Sequence, residues 1–148
     1  MIGRSPTVLE RRVAATQELL GGWKGRPYDF AGKSHCARMV CEHLRRMGYK
    51  PPVAKAGQYK TEVGGLRALR RLGVQALADA LDGMGLPRIA PIAALAGDIL
   101  ELPSASPLGC LTVALGNGRV LGFVDDWHEA AVLQPKQYAA AWRVEPLS

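Results

Sequence analysis

Along the first half of the chain apolar residues recur at helical spacing, and near Pro87 the spacing changes to a two-residue alternation. Thr7 to Leu20 reads as a helix. Ser5 or Thr7 caps it, Pro6 suits its start, Gly21–Gly22 are its stop, and Val8, Leu9, Val13, Thr16 and Leu20 form its apolar stripe. A second helix is expected from near Ser34 to Met47, ended by Gly48, with Cys36, Met39, Val40, Leu44 and Met47 facing inward. Pro51–Pro52 break the chain, residues 61–72 predict a third helix closed by Gly73, and residues 74–84 a short fourth one closed by Gly85. Gly64–Gly65 cost the third helix roughly 1 kcal/mol each against Ala. Either another backbone packs closely there or the helix begins at Leu66.

Beyond Pro87, residues 96–102 read as a turn into a strand, residues 109–115 as a second and 119–124 as a third. Gly116-Asn117-Gly118 joins the last two, and Asn-Gly is a strong hairpin signal. Residues 130–133 and 141–144 bring the total to about five strands. Helices first and a meander after them predict an α+β class, N-terminal helices packed on a C-terminal antiparallel sheet. The expected organisation is one domain over 1–148: an N-terminal helix (1–22), a cysteine helix with the helices after it (23–86), and a β-meander (87–148).

Composition narrows this picture only a little. With 148 residues, 48% hydrophobic and 22% charged, the chain is an ordinary globular one with a real core. No apolar run approaches the roughly 18 residues of a membrane helix. The start, Met-Ile-Gly-Arg-Ser-Pro, carries no apolar signal region, so export is not expected. Three cysteines make no disulfide framework and fit a reducing compartment. The net charge of +6 is concentrated in Arg11–Arg12, Arg45–Arg46 and Arg70–Arg71, read as solvated helix faces; a basic partner surface is the other reading. Gly116-x-Gly118 joins two strands instead of opening a helix, so it is not a nucleotide fingerprint, and no specific nucleic-acid partner is expected.

The chemistry centres on Cys36. An aromatic, glycine-rich loop (Trp23, Tyr28, Phe30, Gly32) delivers this cysteine to the first turn of a helix. Helix N-termini carry unpaired N–H groups and partial positive charge, which favour the nucleophilic thiolate. The same residue on an apolar stripe equally reads as a small buried hydrophobe. The loop aromatics read as cleft wall or as core in the same way.

The ordered set of motifs resembles the NlpC-type superfamily of papain-like cysteine peptidases. It resembles more narrowly the small NlpC-like proteins of bacteriophage and prophage tail modules. The residues that carry the likeness are Trp23, Tyr28-Asp29-Phe30-x-Gly32 before the cysteine, Gly48-Tyr49 and Tyr59. Leu66-Arg67-Ala68-Leu69, Gly97-Asp98, Leu115-Gly116-Asn117-Gly118-Arg119-Val120-Leu121-Gly122 and Ala141-Trp142-Arg143-Val144 follow in order. The resemblance covers about residues 20 to 145. It implies a papain-like (NlpC-like) fold, Cys36 as nucleophile, no cofactor, and peptidoglycan or other tail proteins (hub, baseplate, tape measure) as partners. It places the protein in the virion tail after synthesis in the host cytoplasm.

Two departures bear on catalysis. His35 stands where the phage proteins place an Asp, and register on Leu-Gly-Asn-Gly puts Cys110 at the position of the general-base histidine. A thiol does not replace imidazole as a base near neutral pH. Of the three histidines, His35 is adjacent to Cys36, and successive helix side chains diverge. His43 lies two turns on, about 10 Å away by helix rise. His128, in Asp125-Asp126-Trp127-His128-Glu129, is the candidate partner of Cys36, with Asp125, Asp126 or Glu129 to orient its ring; it also reads as a surface-loop residue. A metal site from Cys36, Cys110 and a histidine lacks any C-x-x-C spacing. Two functions follow: a tail-tip or baseplate structural component with a degenerate peptidase fold, or an active murein peptide hydrolase. Tyr59 and Tyr138 are the expected exposed contacts of a tail assembly.

Overall fold

The computed structural model describes residues 5–32, 35–51, 61–123 and 129–147. Four helices come first, α1 (Val8–Trp23), α2 (Cys36–Arg46), α3 (Glu62–Arg71) and α4 (Leu77–Gly83), followed by five strands, β1 (Ile99–Leu102), β2 (Cys110–Gly116), β3 (Arg119–Gly122), β4 (Ala131–Leu133) and β5 (Ala140–Trp142). The strands form one antiparallel sheet in the order β4-β3-β2-β1-β5. The shift from helical to alternating spacing near Pro87 is therefore the boundary between the two halves.

Local chemistry sets each element. Thr7 and Glu10 close a capping box on α1, each side chain meeting the other's backbone N–H at 3.1 Å. Thr61 Oγ1 accepts the Gly64 N–H at 3.0 Å, so α3 starts before the glycine pair and not at Leu66. Gly116 pairs with Arg119, which leaves Asn117 and Gly118 as a two-residue turn with φ of 55° and 73°. Positive φ at both positions is what Asn-Gly tolerates and most pairs do not.

The structure corrects the reading of α1 in two ways. Its buried side is Arg12, Ala15, Thr16, Leu19 and Trp23, whereas Val8 and Leu9 are half exposed. Gly21–Gly22 do not stop the helix, which runs on to Trp23. Two helical glycines cost about 2 kcal/mol together, and the fully buried Trp23 side chain offsets this with a comparable or larger gain.

The first core lies between the helices and one face of the sheet, joining Leu19, Met39, Val40, Leu44 and Leu69 to Ile99, Leu111, Val113, Leu121 and Trp142. On the opposite face Leu100, Ala114, Val120 and Ala141 form a smaller cluster under Ile89, Ala94 and Tyr138. Tyr138, expected as an exposed contact, is half-buried in this cluster, while Tyr59 lies outside the described residues.

Arg12 is not part of a solvated face. It is 1% exposed and pairs with Asp98, itself fully buried. Its guanidinium also donates to Ala96 O at 3.1 Å and to Val144 O. Asp98 accepts the N–H groups of Val144 (2.9 Å) and Leu95 (2.8 Å) and lies 3.4 Å from Arg143. Two charges survive burial only when paired and fully hydrogen-bonded in this way. Gly97 precedes Asp98 at φ 94°, and a Cβ there would press on Thr16 Oγ1 at 3.1 Å and Met47 Cε at 3.3 Å. Gly97-Asp98 thus ties α1, α2, β1 and the chain after β5 together. Its role is architectural. Arg45 and Arg70–Arg71 are exposed as expected, and Arg46 forms a surface pair with Glu18 at 2.7 Å.

Candidate active site

Cys36 is the first residue of α2, and α2 packs across β2. The cysteine is partly buried at the edge of a cleft of about 1000 Å³. The cleft is bounded on one side by Tyr28, Phe30 and Glu62 and on the other by the β1–β2 loop, residues 103–109. Cys110 and Phe123 complete the lining near Cys36.

The N-cap of α2 is His35, whose Nδ1 accepts the Arg38 N–H at 3.4 Å. Its ring stacks on Phe30 with centroids 4.3 Å apart and planes inclined by 19°. Burial, reinforced by the Arg38 charge, lowers its pKa to about 4, so the ring stays neutral and Nδ1 keeps its lone pair. An N-cap needs an acceptor, which neutral imidazole supplies as Asp does. That accounts for His35 at the position where the resembling proteins carry Asp.

Two effects compete at Cys36. The helix N-terminus favours thiolate by at most about 2 kcal/mol. Removal from water disfavours it and prevails, pushing the thiol up to about 11, with the Glu62 carboxylate adding to the rise and the Leu111 and Ala37 amides opposing it. Cys36 is a thiol at neutral pH. Desolvation thus outweighs the pull of the helix terminus on this thiol.

No imidazole among the described residues corrects this. His35 is committed to the cap. His43 is fully buried and its Nε2–H donates to Gly97 O at 2.8 Å, so it belongs to the Arg12–Asp98 node; Nδ1 has no hydrogen-bond partner. Cys110 is buried at the start of β2 and its S–H donates to Phe123 O at 3.2 Å. His128, the candidate base, lies outside the described residues, as do Asp125 and Asp126. Glu129, the other candidate for orienting it, is exposed and pairs through its backbone with Pro27. Among the described residues no group of three or more candidate metal ligands occurs, and a site of Cys36 and Cys110 with His128 reaches outside them.

The aromatic loop divides. Trp23 is core, donating Nε1–H to Glu42 at 2.7 Å and meeting Phe123 edge-on at 6.2 Å. Tyr28 is exposed on the cleft, edge-on to Phe123 at 5.8 Å, and its hydroxyl donates to Glu62 at 2.9 Å. Burial and the Glu62 carboxylate hold the Tyr28 phenol protonated well above the usual range. Trp142 is core as expected, its indole N–H donating to Asp82 at 2.9 Å.

Sequence reasoning missed Glu62 and the 103–109 loop. The Thr61 cap places Glu62 in the first turn of α3, but only the packing brings that turn to the cleft. Pro103 to Pro107, between two expected strands, read only as a loop, although the Leu108 carbonyl just after it accepts the Leu77 N–H at 3.1 Å and fixes it against α4.

A search of solved structures finds NlpC2 from Trichomonas vaginalis, with a TM-score of 0.57 over 96% of this chain and 49% of that one, at 12% identity. The chain therefore spans about half the length of the matching structure. The fold is α+β and papain-like, of the NlpC type, as the motif order implied. No curated protein sequence matches the chain. The family profile described as "Domain of unknown function (DUF6950)" matches residues 8–144, so the chain belongs to the DUF6950 family.

Proposed function

We propose that the protein is a structural component of a bacteriophage tail tip or baseplate, built on an NlpC-like fold whose peptidase chemistry has decayed. The observation that carries this reading is the Cys36–Cys110 corner. Cys36 keeps its place at the helix terminus and on the cleft, but burial holds it as a thiol. The residue at the base position is a second thiol, engaged with Phe123 O. Thiol attack on an amide needs a base to take the proton and an acid to protonate the leaving amine. Neither group is supplied by Cys110. The tail assignment rests on the ordered motifs from Trp23 to Val144. It puts the protein in the virion, beside hub, baseplate or tape-measure proteins, after synthesis in the host cytoplasm.

The test combines purified protein, peptidoglycan fragments and the Cys36→Ala and His128→Ala variants. No turnover by any of them is expected, together with loss of infectious particles when the gene is deleted and their recovery with a Cys36→Ala copy. Normal particles without the protein would overturn the structural role. The second reading, a murein peptide hydrolase, is favoured by the exposure of Cys36 on an open, aromatic-walled cleft. Turnover abolished by both substitutions would establish it, with a Cys36–His128 dyad.

A further inference from the structure

Cys36 and Cys110 both border a gap in the sheet ladder and line the same cleft. Val113 pairs with Leu121, and continuing that register sets Leu111 opposite Phe123. Beyond Gly122, where β3 ends, the rung between Leu111 and Phe123 is replaced by sulfur. The Leu111 amide reaches the Cys36 thiol, and Phe123 O takes the Cys110 S–H at 3.2 Å. Opposed residues of an antiparallel pair lie about 5 Å apart, and the Leu111 nitrogen is only two covalent bonds, about 1.3 and 1.5 Å, from the Cys110 Cα. One hydrogen bond therefore separates Cys36 Sγ from the backbone of Cys110. Both residues line the same cleft, Cys36 partly buried and Cys110 buried. That is the arrangement of an attacking thiol with a resolving thiol at hand.

We propose that Cys36 and Cys110 form a redox-active dithiol, oxidised to an intramolecular disulfide by low-molecular-weight disulfides of the glutathione type. The proposal is independent of the tail assignment and of peptide turnover. Cys36 releases its proton to solvent and its thiolate attacks one sulfur of the small disulfide. That S–S bond breaks, one small thiolate leaves and takes a proton, and a mixed disulfide remains on Cys36. Cys110 then loses its proton and attacks the Cys36 sulfur, expelling the second small thiol. The protein loses two hydrogens and two electrons, and the small disulfide becomes two thiols. Cys41 takes no part: it sits on a different side of α2, buried, outside the cleft lining. The high thiol pKa of Cys36 makes the first step slow at neutral pH and accelerates it about tenfold per pH unit below that pKa.

The test incubates the full chain with glutathione disulfide without air, quenches in acid, alkylates the free thiols and maps the peptides. The expected product joins the Cys36 and Cys110 peptides, with Cys41 alkylated. Cys110→Ala should stop at a glutathione adduct on Cys36, and Cys36→Ala should give neither product. Should Cys110→Ala fold poorly, as judged by circular dichroism, Cys110→Ser serves the same purpose. Phenylarsine oxide, which bridges neighbouring thiols, gives a second readout on the wild type, with one arsenic expected per chain across Cys36 and Cys110. A wild type that halts at the Cys36 adduct would overturn the proposal. So would a Cys36–Cys41 link, or thiols that react only after denaturation.

Discussion

The Arg12–Asp98 node and the Cys36–Cys110 corner are both polar places within an apolar interior, at different parts of the sheet. In the node, ionised groups are matched almost completely: a guanidinium, a carboxylate, two backbone amides and two carbonyls close on one another. In the corner there is no charge to match. Cys36 stays protonated and the Cys110 S–H donates a hydrogen bond to the Phe123 carbonyl. Gly97-Asp98 is tied into the packing of both halves, whereas the Cys110 side chain makes a hydrogen bond to Phe123 O and carries no charge that the fold must match. The scaffold and the candidate chemistry therefore rest on separate polar clusters, and each can be altered without the other.

The strongest way to break this comparison is to remove one partner of the node. Asp98→Ala leaves Arg12 buried against carbonyls alone and should cost about 3–5 kcal/mol in urea unfolding. Cys36→Ala should cost about 1 kcal/mol, because it removes one uncharged sulfur at the rim of the core and leaves no buried charge unpaired. Replacing both charges, Arg12→Met with Asp98→Leu, should be less destabilising than Asp98→Ala alone. Equal costs for Asp98→Ala and Cys36→Ala would erase the distinction between scaffold and chemistry.

The corner is sharpened by giving it back a base. Cys110→His in a His128→Ala background places imidazole beside Cys36 and removes the other candidate. General acid–base catalysis typically contributes at least about a hundredfold. Hydrolysis of peptidoglycan fragments, absent in the parent, should rise to at least about a hundredfold above the detection limit, and Cys36 should become alkylatable at neutral pH. A folded variant with unchanged rate would mean that the cleft, and not only the base, has lost its chemistry.

Both regions contain a histidine kept neutral by burial, and pH compares them. His35 is lowered to about 4, by burial and then Arg38; His43 is lowered by burial foremost, with Arg12 and Arg46 acting the same way and the Gly97 carbonyl and Asp98 opposing. Their unfolded values lie near 6.5, so below that pH the unfolded chain binds protons that the native state refuses. Stability is full above about pH 6.5 and falls as pH drops toward about 4, by at most about 2.7 kcal/mol per unit if both groups contribute. His35→Asn, which keeps a cap acceptor, should flatten the fall by up to about half. An unchanged profile in that variant would remove His35 from the account.

Much of this was readable from residue order, and the exceptions have physical causes. The inward side of α2 followed from Met39, Val40, Leu44 and Met47, and the hairpin from Asn117-Gly118. Hydrophobic spacing failed on α1 because its buried side includes Arg12 and Thr16, while Val8 and Leu9 lie in an exposed first turn. A buried ion pair is invisible to an apolar count. In the site, the nearness of Cys110 to Cys36 was legible only through the motif resemblance, whose Leu-Gly-Asn-Gly alignment sets Cys110 at the base position. Glu62 was not readable, because its approach depends on how α3 packs and not on any local pattern.

Glu62 offers the finest test of the corner. Its carboxylate lines the cleft, accepts the Tyr28 hydroxyl at 2.9 Å and raises the Cys36 pKa as a secondary cause behind desolvation. Glu62 is exposed, so solvent screens its field and the effect should be small. Glu62→Gln keeps the size and a hydrogen-bonding oxygen for Tyr28 but removes the charge. Alkylation of Cys36 at mildly alkaline pH should speed up roughly two- to fivefold, the equivalent of about 0.4–1 kcal/mol. The gain should shrink in high salt, because a screened Coulomb term is being removed. A Tyr28→Phe variant, which keeps the carboxylate, should leave most of the slow rate in place. Equal acceleration in both variants would show that the hydrogen bond closes the cleft mechanically and that charge has no part in it. An unchanged rate in Glu62→Gln would leave desolvation as the whole reason that Cys36 stays a thiol.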